Sequence, residues 1–180
     1  KEGVANWVCN RGYEVLHDTM GAADLLAECV SDKIVYTGMT ETEYVNMVND
    51  FCFHVVWASK KILRGELWSA KMCIDAYLKN LLLKMMELYS ACKYSADVWH
   101  DGRFLDRWAD DGIKEALPKC FAHYDKKDMI YALLETKDLF LRLAKMTAEM
   151  NDYNYPEGAE SYVESLLLEY FDGRSEMVSV

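Results

Sequence analysis

The sequence predicts a mainly α protein, an antiparallel helical bundle with a short amino-terminal strand. Three observations carry that reading. From Thr40 onward, apolar residues recur at three- and four-residue spacing in long runs. Capping residues mark where those runs begin. Short connectors separate the runs, which favours antiparallel neighbours.

The elements follow in order. Gly12-Tyr13-Glu14-Val15-Leu16-His17-Asp18 alternates in the manner of a short strand bounded by a glycine and an aspartate. A lone strand needs ladder partners, so it implies an edge contact or a sheet that lies elsewhere. A short apolar helix is expected from Ala22 to Val30, then a linker to Gly38. Thr40 and Glu43 form a capping box that opens a long helix ending at Arg64-Gly65. A second long helix is expected from Glu66 to Cys92, its stripe formed by Leu67, Ala70, Ile74, Tyr77, Leu78, Leu81, Met85, Leu88 and Cys92. Asp101-Gly102 reads as a turn, and Arg103 to Asp110 as a short bracing helix. Pro118 should shorten or kink a helix between Gly112 and Tyr124. Asp125 caps a helix to Asn151, and Pro156 opens the last one, which Asp172-Gly173 ends after Phe171.

Composition narrows the functional classes. A chain of 180 residues with 52% hydrophobic side chains has enough apolar surface for a core. The formal charge of −10 disfavours phosphate backbones, so no nucleic acid is expected as a partner. Six cysteines stand well apart, without zinc or redox spacing, and fit a reducing, cytoplasmic setting. No apolar run reaches the roughly 20 residues that span a bilayer, so no membrane role is expected. The chain begins at Lys1 without a methionine, which suggests a fragment.

Catalytic motifs are missing from the sequence. Glycines are scattered rather than gathered into a phosphate loop, no Gly-x-Ser-x-Gly occurs, and the histidines at 17, 54, 100 and 123 have no metal-binding spacing. Asp110-Asp111 and Asp125 with Asp128 stand at expected helix starts, where capping accounts for them. The run from Asn49 to Lys71 is different. It places carboxylates, the indoles of Trp57 and Trp68, and Lys71 around one helical corner, a mixture suited to a bulky polar cation. An ordinary two-helix corner would use the same residues.

Several blocks in order carry a family likeness. They are Asn49-Asp50-Phe51 leading to Trp57, Leu63-Arg64-Gly65-Glu66-Leu67-Trp68-Ser69-Ala70-Lys71, Leu81 to Tyr89, Asp101-Gly102-Arg103-Phe104-Leu105, Asp138 to Ala144, and Asn154-Tyr155-Pro156. Together they resemble the carboxy-terminal helical domain of the aminoglycoside 6-adenylyltransferases, the streptomycin-modifying nucleotidyltransferases. Tyr13 to Asp18 looks like the last strand of that family's α/β catalytic domain, so the likeness covers roughly residues 12 to 171.

The resemblance implies that residues 1–38 are the remnant of a catalytic nucleotidyltransferase domain and that 39–180 form a substrate-binding bundle. It implies transfer of AMP from ATP to an antibiotic hydroxyl, with Mg2+ as the metal of the whole enzyme. The Gly-Ser turn and Asp-x-Asp strand this chemistry uses are not in the sequence. The chain alone is therefore expected to be inactive and to bind neither ATP nor metal by itself. Its expected partners are an aminoglycoside and the amino-terminal catalytic domain. Within the resemblance, Glu66 and Asp75 are expected to hydrogen-bond the cationic drug, Trp57 and Trp68 to offer flat faces, and Lys71 to contact the triphosphate. The competing account makes Lys71 and Asp75 a surface pair and both indoles core. Asp50-Phe51-Cys52-Phe53 stands where family members commonly carry Glu-Phe-Trp-Trp. A helical interaction module without catalysis is the alternative function.

Overall fold

A computed structural model of the chain describes residues 13–27 and 38–171. The chain divides into two compact units, Lys1–Thr37 and Gly38–Val180. Gly12, the last residues of the helix expected to Val30, the linker after it and the Asp172-Gly173 stop lie outside the described residues.

In the first unit, α1 spans Ala22–Ala27. Asp18 opens it: one carboxylate accepts from the amides of Met20, Ala22 and Ala23 at 2.9 to 3.0 Å, and those bonds hold its carboxyl below the usual range. The expected strand does not form. Tyr13 to Asp18 is irregular and exposed, because an extended segment needs a neighbouring strand and none exists among the described residues.

The second unit is the helical bundle. Helix α2 spans Glu41–Leu63, and its capping box forms as expected: the Thr40 hydroxyl accepts from the Glu43 amide while the Glu43 carboxylate accepts from Thr40. Helix α3, Leu67–Met72, runs through a π turn at Cys73–Tyr77 into α4, Leu78–Tyr94. The short α5, Leu105–Trp108, carries Phe104 beneath the guanidinium groups of Arg103 and Arg107. Helix α6, Asp111–Ala116, continues as a 3-10 turn at Leu117–Cys120, which is how Pro118 shortens it. Helix α7 spans Lys126–Asn151 from its Asp125 cap, and α8 spans Glu157–Phe171 after Pro156.

The core is where α2, α4 and α7 meet, with α8 laid along α2. Phe51 stacks on Phe140, ring centres 3.6 Å apart and nearly parallel. Seven residues earlier on α2, the Tyr44 hydroxyl donates to the Ala144 carbonyl at 2.8 Å. Position rises on one helix as it falls on the other, so α2 and α7 are antiparallel. The start of α2 is also tied to the α7–α8 connector: the backbone amide and side-chain amide of Asn154 both donate to Glu41, and Tyr153 donates to the Met39 carbonyl.

Two members of the expected α3–α4 stripe leave the core. Cys92 is exposed. Tyr77 is 42% exposed. The π turn closes its hydrogen bonds one residue later than an α-helix, from the Leu78 amide to the Cys73 carbonyl, and this turns Tyr77 outward.

Lys79 clamps that turn to α7. Its ammonium donates to the Thr136 hydroxyl at 2.8 Å and the Ile74 carbonyl at 3.2 Å, with the Phe121 ring 5.1 Å away. Burial pushes the Lys79 pKa down to about 8. The unfolded chain keeps this proton up to the usual lysine value, so burying Lys79 costs most at neutral pH. Stability gained from it rises between pH 8 and 10. Replacing Lys79 with Met removes that titration. Urea unfolding should show the stability of wild type relative to Lys79→Met rising by about 2 kcal/mol from pH 7 to pH 10. A difference that stays flat with pH would refute the assignment.

Candidate functional site

The corner between α2 and α3 is built from local rules. Arg64 ends α2, Gly65 follows with a φ of +75°, and Glu66 precedes α3. The Gly65 amide bonds to the Ile62 carbonyl and the Glu66 amide to the Lys61 carbonyl, which is a Schellman closure with glycine at its left-handed position. This turn brings the carboxylate of Glu66 back onto the end of α2. There it accepts from the Lys61 ammonium and, at 2.5 Å, from Arg64 Nε. The bond from Lys61, then that from Arg64, holds the Glu66 carboxyl below the usual range. The Lys61 ammonium also lies 5.0 Å from the centre of the Trp57 ring.

One turn into α3, Lys71 pairs with Asp75 and donates to the carbonyl of Ala122, in the loop before α7. The second Asp75 oxygen, Oδ1, is buried and has no hydrogen-bond partner. Beside them, Asp128 accepts from the backbone amide of His123 at 2.6 Å and pairs with its ring, and both bonds hold its carboxyl down.

The expected site residues therefore fall into three places. Trp57 and Glu66 meet through Lys61. Lys71 and Asp75 meet each other and the Ala122 carbonyl. Trp68 stands 69% exposed, while Trp57 is partly buried against the core.

A further cluster was not read from the sequence. Asp50 Oδ2 accepts from the Tyr77 hydroxyl at 2.7 Å, and Asp50 Oδ1 lies 3.0 Å from His54 Nδ1. The i, i+4 spacing of Asp50 and His54 was visible. Tyr77 joins them only through the hairpin and the π turn. Among the described residues, no group of three or more His, Cys, Asp or Glu side chains could hold a metal ion, and no helix is long and apolar enough to cross a membrane.

A family model described as streptomycin adenylyltransferase matches residues 2–169. The chain belongs to that family. The fold agrees: a crystal structure of an aminoglycoside 6-adenyltransferase from Bacillus subtilis superimposes with a TM-score of 0.64 at 22% identity, covering 81% of this chain and 62% of that one. This streptomycin adenylyltransferase family member thus spans less than two thirds of the length of that structure. None of the curated proteins matches the sequence.

The two ion pairs differ in what their loss would do. Glu66 sits at the surface, where screening leaves little net gain from a pair. The Lys71 pair is partly buried, and its removal leaves Asp75 without its paired ammonium, beside an oxygen that already has no partner. Lys71→Met should lower unfolding free energy by about 1–2 kcal/mol, whereas Glu66→Gln should leave the urea midpoint within error. Equal midpoints for both variants would refute this distinction.

Proposed function

We propose that this chain is the substrate-binding, carboxy-terminal part of an aminoglycoside nucleotidyltransferase. The whole enzyme would transfer AMP from ATP to a hydroxyl of a streptomycin-like antibiotic and so confer resistance. The observation that supports this reading is the family match over nearly the whole chain, within which the α2–α3 corner sets Glu66 and Trp57 about Lys61 and pairs Asp75 with Lys71 one turn on.

In this reading residues 1–38 are the edge of the catalytic domain and 39–180 the substrate domain, working in the cytoplasm. Asp75 and Glu66 hydrogen-bond the cationic drug, Trp57 and Trp68 flank it, and Lys71 meets the nucleotide's phosphates. Geometry sets a condition on these roles. Glu66 and Asp75 already hold lysine or arginine, so drug cations bind by exchange, releasing Lys61 or Arg64 from Glu66 and Lys71 from Asp75. Release of Lys71 from Asp75 is also what would free it for a phosphate.

The magnesium that adenylyl transfer implies does not fit these residues, since no metal-holding group exists among those described. In this reading the attacking hydroxyl is activated by groups outside the bundle, and the chain alone binds without transferring.

Titration calorimetry with streptomycin tests the proposal. Binding should weaken from low to physiological salt, as expected for a cation on a chain of charge −10. It should fall severalfold in Asp75→Asn and less in Glu66→Gln, and the chain should transfer no AMP from labelled ATP. Absence of heat from the wild type, or binding indifferent to salt and to both substitutions, would overturn the reading.

A further inference from the structure

We propose that Asp50, with Phe53, His54 and Tyr77 around it, is a subsite for a guanidinium or ammonium group. This subsite rests on the cationic-ligand reading above and adds to it a carboxylate that, among the described residues, pairs with no lysine or arginine.

Charge accounting singles out Asp50. Of the carboxylates on the outer side of the α2–α3 hairpin, Glu66 holds Lys61 and Arg64, and Asp75 holds Lys71. Among the described residues Asp50 pairs with no lysine or arginine; its ion-pair neighbour is His54. His54 Nδ1 faces two acceptors, the Asp50 carbonyl at 2.9 Å and Oδ1 at 3.0 Å, so Nδ1 carries the hydrogen. The Tyr77 hydroxyl donates to the other carboxylate oxygen. The two donors fix the carboxylate's orientation, and among the described residues no lysine or arginine pairs with it. A carboxylate has about four acceptor directions, so two remain for a ligand.

The surroundings favour a cation. The His54 and Tyr77 rings lie 4.1 Å apart, and Phe53 meets His54 edge-on at 5.1 Å. Phe53 is 64% exposed, and an aromatic face presented beside a carboxylate attracts flat or ammonium cations. The Asp50 bond also pushes the Tyr77 hydroxyl pKa up, keeping it a neutral donor. Asp50, Phe53, His54 and Trp57 follow i, i+3, i+4, i+7 spacing, so they share one face of α2. A ligand with cationic groups at separate points could rest on Asp50 at one end and on the Trp57 corner at the other.

The test uses two probes, methylguanidinium followed by NMR and streptomycin followed by calorimetry. The variants are Asp50→Asn, Phe53→Ala and a control, Glu149→Gln, with circular dichroism to confirm folding. Phe53→Ala changes an exposed side chain and keeps the test decisive if Asp50→Asn fails to fold. The expected result is loss of about tenfold in affinity for both probes in Asp50→Asn and about two- to fivefold in Phe53→Ala, with none in Glu149→Gln. Methylguanidinium binding that depends on Asp50, without streptomycin binding, would support the subsite and sink the drug reading. Streptomycin binding unchanged in both variants would sink the subsite and leave the drug reading standing. Binding of neither probe by wild type would overturn both.

Discussion

The stack of Phe51 on Phe140 is the contact on which the rest of the arrangement depends. It joins the two longest helices near their middles, and with the Tyr44 bond to Ala144 it fixes the rotation of α2 about its own axis. Once Tyr44, Val48, Phe51, Val55, Ala58 and Ile62 face inward, helical geometry leaves Asp50, Phe53, His54, Trp57 and Lys61 on the outer and flanking faces. The polar and aromatic display of the hairpin is thus set by the apolar stripe. Rotating α2 by one residue would bury Asp50 and strand Phe51 in water, costing several kcal/mol in burial and desolvation.

Charge on that display is distributed unevenly. The chain has ten more acids than bases, yet the carboxylates at the α2–α3 corner are matched by nearby cations, Lys61 and Arg64 through the Schellman turn and Lys71 through i, i+4 spacing. Local pairing makes these groups good structural closures and sets a competition for any cationic ligand, which must displace a tethered ammonium or guanidinium. Tethering keeps the displaced group at high effective concentration. Affinity at Glu66 and Asp75 is therefore a difference between two similar interactions, while Asp50, among the described residues, pairs with His54 and with no lysine or arginine.

Much of the bundle was legible in the sequence because its signals are local. Thr40 with Glu43, Asp125, Pro156 and the Gly65 break each act within one turn of chain, and the structure places helix ends beside all of them. Tyr13 to Asp18 misled for the same reason. Alternation over six residues says what a strand would bury, but strand formation is decided by a partner far away in the chain. The π turn left no pattern either. Leu78, Leu81 and Met85 keep a plain helical stripe, and within the turn itself Tyr77 betrays the inserted residue by leaving it. Site groups followed this divide: Lys71 with Asp75 was readable from spacing, whereas Tyr77 on Asp50 needed 27 residues of intervening hairpin to fold back.

The π turn also explains why the hairpin has two dissimilar polar ends. Lys79 holds the turn from within through the Ile74 carbonyl and Thr136, so the extra residue is accommodated by a buried ammonium rather than by solvent. On one side of that clamp Asp75 is drawn toward Lys71 and the Ala122 loop; on the other Tyr77 swings out to Asp50. In a regular α-helix Tyr77 would fall close to the apolar stripe and Asp50 would lose its neutral donor. One local change in hydrogen-bond spacing thus separates a carboxylate closed by lysine from a carboxylate held by a hydroxyl and an imidazole, with no lysine or arginine on it among the described residues.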